Sequence, residues 1–282
     1  MVHRLLACAA FGPPSECNGA MRISGLRVVV TGASAGIGRA TAMRLAKRGA
    51  EVVAVARRAE LLDELAATSS RITAFPADLA QSSERRRLVA DTGPVDVLVN
   101  NAGIGWLGLV DSMPFERVQS LFELNVLGLI ELTQLVMPQM AKRRKGHIVN
   151  IASVASYAAV PPLTVYSASK FAVRGFTEGL RRELGGTGIT ACVVNPGITN
   201  TGFVDRAQGG DRPDVRDKTT GGVPADFVAR AIQRSITYRR VPGFGVVAAP
   251  RIWGVSRLAA VPGVNTVVDI VGAPIASRFR TN

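Results

Sequence analysis

Short apolar runs alternate with longer amphipathic stretches along most of the chain, and this alternation constrains the fold more than any other feature of the sequence. The apolar runs show no polar alternation, which is typical of strands whose two faces are both covered. We predict strands at 28–31, 51–56, 72–75, 95–100, 146–152 and 189–195. We predict helices at about 36–49, 58–68, 81–92, 114–142, 163–185 and 224–239. Strands that alternate with helices form right-handed βαβ units, so we expect an α/β fold with a doubly wound parallel sheet.

A single domain is expected to span 21–250. The chain has 282 residues, 47% of them hydrophobic, which is enough for a substantial core, and neither a repeat nor a linker interrupts 21–250. The apolar run before Cys8 is too short for a signal peptide, so we expect 1–20 to be a disordered extension or a mis-assigned start, with Met21 as the biological start. We expect the apolar, basic tail 251–282 to pack on the domain, with an oligomer contact and a membrane surface as alternatives.

The net charge and the scarce cysteines and histidines limit the chemistry. The net charge of +13 suits a nucleic acid, an anionic membrane, an acidic ligand, or simply an arginine-rich surface. Neither a helix-turn-helix nor a zinc-finger nor an aromatic RNA-binding signature accompanies it, so we expect no nucleic-acid partner. Cys8, Cys17 and Cys192 form no disulfide pattern, and with only His3 and His147 as histidines we expect no metal site. No sequence stretch reaches the roughly 18 apolar residues of a membrane span, so we expect a cytoplasmic protein, with peripheral membrane contact through the tail left open.

A glycine-rich turn follows the first predicted strand. It reads Thr-Gly-Ala-Ser-Ala-Gly-Ile-Gly from Thr31 to Gly38 and leads into the first helix. Glycines permit a tight turn and a close approach of the backbone to a ligand. A helix that begins near Gly36 directs free N–H groups and its positive dipole end at the turn. The turn therefore indicates a diphosphate site in a Rossmann-like domain, the alternative being a purely structural turn.

The end of the second strand bears on the choice of cofactor. Sites that prefer NAD(H) usually place an acidic residue there to hold the ribose 2′-hydroxyl. Here the sequence reads Val55-Ala56-Arg57-Arg58, so the acid is missing and a guanidinium stands beside its position. Arginine pairs with a 2′-phosphate through charge-assisted hydrogen bonds, so NADP(H) is favoured and NAD(H) remains possible. The alternative is that both arginines only solvate the start of a helix.

Tyr166 and Lys170 form the most informative pair. They stand at i and i+4, so they share one face of a helix. A neighbouring ammonium lowers the pKa of a phenol, which then exchanges a proton with a carbonyl or an alcohol. Ser153 lies at the end of a strand, where ligands bind in open α/β sheets. A lone Tyr-x-x-x-Lys is common in helices, so its weight comes from the motifs around it. Asn125, set among apolar neighbours, is interpreted by itself as a surface or capping residue, or one that binds water or backbone.

Taken together, these motifs resemble the short-chain dehydrogenase/reductase family, in its single-domain type. The matches run in the family's order: the turn at 31–38, Asn-Asn-Ala-Gly at 100–103, Asn125, Ser153, Tyr-x-x-x-Lys at 166–170 and Asn-Pro-Gly at 195–197. They span about 24–247. The resemblance implies an NADP(H)-dependent oxidoreductase that interconverts a carbonyl and an alcohol.

The resemblance also implies a role for each matching position. Tyr166 would be the general acid/base, Lys170 would lower its pKa and hold the nicotinamide ribose, and Ser153 would orient the substrate oxygen. Asn125 would hold a water that links Lys170 to solvent. The implied cofactor contacts are Gly32, Ser34, Ala35, Gly36, Ile37, Gly38, Arg57, Asp78, Leu79, Asn101, Ala102, Gly103, Tyr166, Lys170, Pro196, Gly197, Ile198 and Thr201. One departure is Ala35, where many NADP-preferring relatives have a basic residue, so Arg57 would have to set the preference.

The loops at 104–112, 154–165 and 198–223 are expected to recognise the substrate. Their apolar residues, Trp106 and Tyr157 among them, suggest a pocket for a lipid, steroid, retinoid-like or aromatic ketone, or else they pack for structural reasons. The long helices at 114–142 and 163–185 suggest a homodimer or homotetramer. Alternative functions are a non-catalytic NADP-binding sensor or scaffold, a nucleic-acid-binding protein, and an epimerase or dehydratase of a related extended family. The intact Ser-Tyr-Lys set argues against the first, and the length of the chain argues against the last.

Overall fold

A computed structural model of the chain describes residues 21–159, 161–203, 207, 222–238 and 246–248. The predictions for 1–20, for 251–282 and for most of the loop 204–221 lie outside these ranges. So do the positions of Cys8, Cys17 and His3, together with that of Val160.

The sheet has seven parallel strands in the order β3-β2-β1-β4-β5-β6-β9. Its strands are β1 (Arg27–Thr31), β2 (Glu51–Ala56), β3 (Ile72–Pro76), β4 (Val97–Asn100), β5 (Gly146–Ile151), β6 (Ile189–Pro196) and, after the short strands β7 (Thr199–Asn200) and β8 (Val223–Pro224), β9 (Val246–Ala248). The strand order reverses at β1, which pairs with β2 on one side and with β4 on the other. A ligand crevice opens at such a reversal, outside the carboxyl ends of the strands. The predicted doubly wound parallel sheet of about seven strands is confirmed.

Helices cover both faces of this sheet. They are α1 (Gly36–Lys47), α2 (Ala59–Ala66), α3 (Ser82–Thr92), α4 (Phe115–Phe122), α5 (Gly128–Lys142), α6 (Thr164–Glu183) and α7 (Ala225–Tyr238). Within β1, Val28 and Val30 pack into the core beneath α1 and α7, whereas Val29 packs into the opposite core against α5 and α6. Successive side chains of a strand point to opposite faces, so a strand buried on both faces needs an unbroken apolar run.

The stretch predicted as one helix at 114–142 is interrupted. Between α4 and α5 the chain makes a π-helical turn, Glu123–Leu127, which contains Asn125. A π turn inserts an extra residue into a helix and redirects the side chains that follow, and such turns occur frequently at functional sites. The local sequence did not reveal this interruption because every residue of Glu123–Leu127 is compatible with an ordinary helix.

The same stretch, Phe115–Lys142, is long and apolar enough to cross a membrane by length and composition. The sequence analysis did not identify this stretch as a candidate span because occasional polar residues interrupt its apolar run. Leu132, Val136 and Met140 are buried against the sheet, so part of this apolar character serves the core of the domain. A buried core helix passes the same composition test as a membrane span.

Three short strands were missed in the sequence. β7 and β8 pair with each other in parallel over two residues each, and β9 extends the main sheet beside β6. Two- or three-residue strands carry too little periodicity to be read from a sequence. The β7–β8 pair joins the two ends of the loop that follows β6.

Candidate active site

The glycine-rich turn lies at the reversal of strand order, between β1 and α1. Gly32 and Gly36 have φ of +66° and +55°, a region that favours glycine. A Cβ on Gly38 would collide with the Gly32 carbonyl oxygen, so only glycine allows α1 to start this close to the strand. The residue before α1, Ala35, has no side chain that could cap the first amide groups of the helix. These amides suit an anion, and a dinucleotide diphosphate fits the turn.

Asn101 holds this turn from the neighbouring strand. Its side-chain amide donates to the Thr31 carbonyl oxygen at 2.9 Å, and the backbone N–H groups of Asn101 and Ala102 both donate to the Thr31 hydroxyl at 2.9 Å. A Cβ on Gly32 would lie 2.9 Å from the Ala102 Cα atom. The amide of Asn101 therefore braces the turn, a structural task beside the cofactor contact that the resemblance implies for it.

At the end of β2, Arg58 rather than Arg57 reaches the turn. Arg58 Nη2 donates to the Ser34 hydroxyl at 2.9 Å, which links the start of α2 to the middle of the glycine-rich turn. Arg57 is exposed at the same edge of the sheet. The assignment of a 2′-phosphate to Arg57 stays a prediction, and the structure adds a second guanidinium beside that position.

Asp78 and Leu79 follow β3 at the same edge. The Asp78 carboxylate accepts a hydrogen bond from the Ala80 N–H at 3.1 Å, which shapes the turn into α3. Leu79 is buried, and its carbonyl oxygen accepts a hydrogen bond from Arg85 Nη1 at 2.6 Å. Both residues therefore lie beside the crevice, where the resemblance implies contacts with the adenine.

Ser153 and Tyr166 meet where β5 ends and α6 begins. The Ser153 hydroxyl accepts the Ala155 N–H at 3.2 Å and is also hydrogen-bonded to the Tyr166 side chain. Tyr166 is 9% exposed. Its burial raises the pKa of the phenol to about 12, and the hydrogen bond from Ser153 lowers it only in part. Tyr166 is therefore protonated at neutral pH.

Lys170 lies one helical turn beyond Tyr166 and faces the same strand end. Its Nζ donates to the Ile151 carbonyl oxygen at 3.1 Å and lies 5.6 Å from the centre of the Tyr166 ring. Burial lowers the pKa of Lys170 to about 8. Burial is the largest cause of the raised pKa of Tyr166 in the chain by itself, and the role of Lys170 in lowering that pKa stays a prediction.

Asn125 is buried rather than at the surface. Its Oδ1 accepts the Ile104 N–H at 2.9 Å, and its Nδ2 donates to the Ile104 carbonyl oxygen at 2.9 Å and to the Ser169 hydroxyl at 3.2 Å. A Cβ on Gly103 would lie 3.0 Å from Asn125 Oδ1 and 3.6 Å from Lys170 Nζ. Asn125 and Lys170 therefore both approach the backbone at Gly103, and the structure brings the predicted catalytic set together.

The segment after β6 closes over the turn. Pro196 ends that strand, Gly197 follows, and Ile198 is exposed. A Cβ on Gly36 would lie 2.8 Å from Thr201 Cβ, so the side chain of Thr201 rests on the start of α1. Pro196, Gly197, Ile198 and Thr201 thus border the crevice from the side opposite Asp78.

Phe203 covers Tyr166, a contact that the sequence analysis did not anticipate. The two ring centroids lie 5.7 Å apart with the rings tilted by 52°. The Phe203 N–H donates to the Thr201 hydroxyl at 3.3 Å, and a Cβ on Gly105 would lie 2.8 Å from the Phe203 ring. Phe203 is one residue within a polar loop, and only the folded chain shows that it reaches the Tyr166 ring.

Two residues expected to line a substrate pocket pack inward instead. Tyr157 is buried, its hydroxyl accepts a hydrogen bond from Asn195 Nδ2 at 3.3 Å, and Arg174 stacks over its ring at 4.4 Å. Trp106 belongs to a small core cluster with Met113 and Leu121. Both side chains stabilise the loops that surround the site.

The comparisons with known proteins agree with this geometry. The family described as short chain dehydrogenase matches residues 27–210. The chain belongs to the short-chain dehydrogenase family. It is therefore an oxidoreductase that acts on CH–OH donors with a nicotinamide cofactor.

Individual relatives add detail. The chain is 38% identical over 225 residues to the ketoacyl reductase HetN of Nostoc sp., covering 76% of this chain and 78% of that protein. A short-chain dehydrogenase/reductase from Burkholderia phymatum, solved with NAD, superposes with a TM-score of 0.75 at 28% identity and covers 84% of this chain and 94% of its own. A short-chain dehydrogenase from Sphingobium yanoikuyae, solved with NADPH, gives a TM-score of 0.73 at 29% identity, with 86% and 94% covered.

Proposed function

We propose that the protein reduces an apolar ketone to a secondary alcohol with NADPH, using Tyr166 as the proton donor. The observation that carries this proposal is the meeting of three side chains: the Ser153 hydroxyl is hydrogen-bonded to the Tyr166 phenol, and Lys170 Nζ lies 5.6 Å from the centre of the same ring. A protonated phenol is ready to act as a general acid, the role that reduction requires. Ser153, on the other side of the reacting oxygen, would donate a second hydrogen bond to it.

When bound, the reduced nicotinamide supplies a hydride to the carbonyl carbon. Tyr166 gives its proton to the carbonyl oxygen, so the carbonyl gains one hydride and one proton and leaves as an alcohol. Lys170 faces the resulting phenolate, and with a pKa of about 8 it is largely an ammonium at neutral pH. Asn125 is hydrogen-bonded to Ile104 and Ser169 beside Lys170, and this order supports the role proposed for Asn125 in returning a proton to Tyr166.

NADP(H) is the proposed cofactor because of the positive charge beside the turn. Arg58 is held against Ser34, and Arg57 stands exposed at the end of β2. A 2′-phosphate at this edge would find two guanidinium groups and one hydroxyl, all of them donors. The NADPH complex of the Sphingobium relative is consistent with this choice, and the NAD complex of the Burkholderia relative keeps NAD(H) as the alternative.

An apolar substrate is supported by what surrounds Tyr166. The Phe203 ring lies over the phenol, and Ala207 is buried beside Gly105 on the same side. Apolar walls favour a substrate with an apolar body next to its ketone. The ketoacyl reductase named among the relatives acts, by its name, on a ketone of that kind.

A homodimer is proposed from the outer faces of the long helices. Phe115, Leu127 and Phe171 are exposed on α4, the π turn and α6. Exposed large apolar side chains mark a protein contact where they form a contiguous patch. Light scattering of the purified protein measures this directly, and a monomer at micromolar concentration would contradict it. A cytoplasmic location stays a prediction.

The proposed activity is tested by following NADPH oxidation with a panel of aliphatic, cyclic and aromatic ketones. Ketone-dependent oxidation, faster with apolar ketones than with small polar ones, is expected. Tight NADPH binding with no turnover on any carbonyl would instead favour the non-catalytic sensor or scaffold.

A further inference from the structure

One arginine outside the Ser153-Tyr166-Lys170 site is almost completely buried. Arg85, on α3, is 4% exposed, although arginine is rarely buried to this extent without full pairing. Its neighbours on the same helix, Arg86 and Arg87, lie at the surface. The Arg85 guanidinium contacts the Leu79 carbonyl oxygen beside the crevice, but the nicotinamide chemistry described above does not involve it.

Every donor of the Arg85 guanidinium has an acceptor. Nε donates to Glu131 Oε2 at 2.6 Å, and Nη1 donates to the Leu79 carbonyl oxygen at 2.6 Å and to Glu123 Oε1 at 3.1 Å. Nη2 donates to Glu123 Oε1 at 3.2 Å and pairs with Glu131 Oε2. Arginine offers five N–H donors in a fixed planar fork, and here the fork is fully used.

The two carboxylates that pair with Arg85 lie at the start of the π turn and in the helix that follows it. Glu123 is the first residue of that turn, and Glu131 lies in the first turn of α5, after it. Gly128, the first residue of α5, lies against the same group, because a Cβ there would be 2.7 Å from the Leu79 carbonyl oxygen and 3.1 Å from Arg85 Nη1. One guanidinium therefore spans the extra residue in the helix and ties it to the Leu79 backbone, in the turn between β3 and α3.

We infer that Arg85 is a positioning residue for the reaction, because its fork fixes the π turn and so sets where Asn125 points. Asn125 lies in the middle of that turn and bonds both backbone groups of Ile104. Gly103, next in the chain, lies between Asn125 and Lys170. A relaxed π turn would move the Asn125 amide and, with it, the backbone that borders Lys170. The consequence for turnover rests on the proposed function, whereas the hold on the π turn does not.

The test compares Arg85→Lys and Glu123→Gln with Arg86→Met as a matched control. Lys keeps the positive charge but cannot hold Glu123, Glu131 and Leu79 at once, because its ammonium lacks the fork. Arg86 shares Glu131 but is exposed, so its removal leaves the guanidinium of Arg85 in place. Amide exchange of Ile104, measured by NMR without cofactor, reports the Asn125 contact directly. Turnover is measured with NADPH and ethyl acetoacetate as the probe ketone.

We expect the hydrogen-exchange rate of the Ile104 amide to rise about tenfold in Arg85→Lys and by a smaller factor in Glu123→Gln. The amides of β1 should keep their protection in both variants. We expect kcat of Arg85→Lys to fall about 10- to 100-fold with little change in KM, as a misplaced catalytic group would cause. The inference is overturned if the Ile104 exchange rate and kcat of Arg85→Lys match those of the Arg86→Met control. It is also overturned if the β1 amides lose as much protection as Ile104, which would show a general loss of stability. If the wild type reduces no ketone, the proposed function fails, and the exchange of Ile104 still decides whether Arg85 holds the π turn.

Discussion

The Lys170 ammonium lies 5.6 Å from the centre of the Tyr166 ring and is tied instead to the Ile151 carbonyl oxygen at 3.1 Å. Burial shifts both groups toward their neutral forms, raising the pKa of Tyr166 to about 12 and lowering that of Lys170 to about 8. The phenol therefore keeps its proton at neutral pH, and its raised pKa makes it a weaker acid in the chain by itself than a free tyrosine.

The lowered pKa of Lys170 predicts a pH-dependent stability for the protein without cofactor. Between pH 8 and 10.5 the unfolded chain holds a proton on this lysine that the folded chain has released, so stability rises with pH across that window. Below pH 8 the folded state bears the cost of a buried ammonium. We expect Lys170→Met to be more stable than the wild type at pH 7, by about 3 kcal/mol, an order-of-magnitude value from the size of the pKa shift.

Urea unfolding of both proteins at pH 7 and pH 10 measures this effect. The relevant quantity is the difference in free energy of unfolding between the two proteins at each pH. Both proteins contain the buried Cys192 thiol, whose pKa is raised to about 12, so above pH 9 this thiol makes the stability of both fall as pH rises. The difference should shrink from pH 7 to pH 10. A constant difference would mean that Lys170 is not destabilised by its burial.

Removal of the guanidinium of Arg58 should reduce the preference for NADPH. A charge-assisted hydrogen bond contributes about 1.5–3 kcal/mol, so we expect the Kd for NADPH to rise about 10- to 100-fold in Arg58→Ala while that for NADH changes little. Arg57→Ala is the matched variant and should lose less NADPH affinity, because the Arg58 guanidinium is the one that is hydrogen-bonded to Ser34. Fluorescence titration with both cofactors checks this. If neither variant changes the ratio of the two Kd values, the preference does not reside at this edge of the sheet.

Phe203 is expected to limit the size of the ketone. Phe203→Ala removes the ring over Tyr166, so kcat/KM for 1-tetralone relative to cyclohexanone should rise about tenfold, in the range that apolar pocket contacts provide. Gly105→Ala places a methyl group against the same ring and should lower that ratio. Equal ratios in both variants and the wild type would show that Phe203 does not border the substrate.

Gly38 should tolerate no side chain. A Cβ there would meet the Gly32 carbonyl oxygen and lie 2.6 Å from Asn101 Nδ2, so Gly38→Ala must distort the turn. We expect NADPH binding to weaken more than tenfold. Gly175→Ala is the control, since nothing lies within 4 Å of a Cβ in that part of α6 and alanine favours a helix by up to about 1 kcal/mol. Wild-type NADPH affinity in Gly38→Ala would contradict the diphosphate site.

The sequence predicted the order of the elements and the meeting of Ser153, Tyr166 and Lys170, because strand ends and helical spacing follow from periodicity. It could not predict the π turn around Asn125, since that geometry depends on Arg85, a residue about 40 positions earlier. It also missed Phe203, which reaches Tyr166 only through the fold of the loop after β6.

The residue that contacts the cofactor turn could not be predicted from the sequence either. Arg57 and Arg58 are adjacent in sequence, and only the structure shows which guanidinium contacts Ser34. The pKa of Tyr166 is beyond a sequence argument, because helical spacing indicates that an ammonium is near but gives no measure of desolvation. Tyr157 was left open between two roles for a related reason, since the sequence does not distinguish an apolar loop residue that lines a pocket from one that packs beneath Arg174.

The most direct test of the central claim is single-turnover oxidation of bound NADPH by an apolar ketone in the wild type and in Tyr166→Phe. The ring is retained, so folding and the packing of Phe203 should be preserved and NADPH should bind as in the wild type. We predict a loss of about 10²- to 10⁴-fold in the rate of hydride transfer, the usual contribution of a general acid. Turnover of Tyr166→Phe at the wild-type rate would contradict the account.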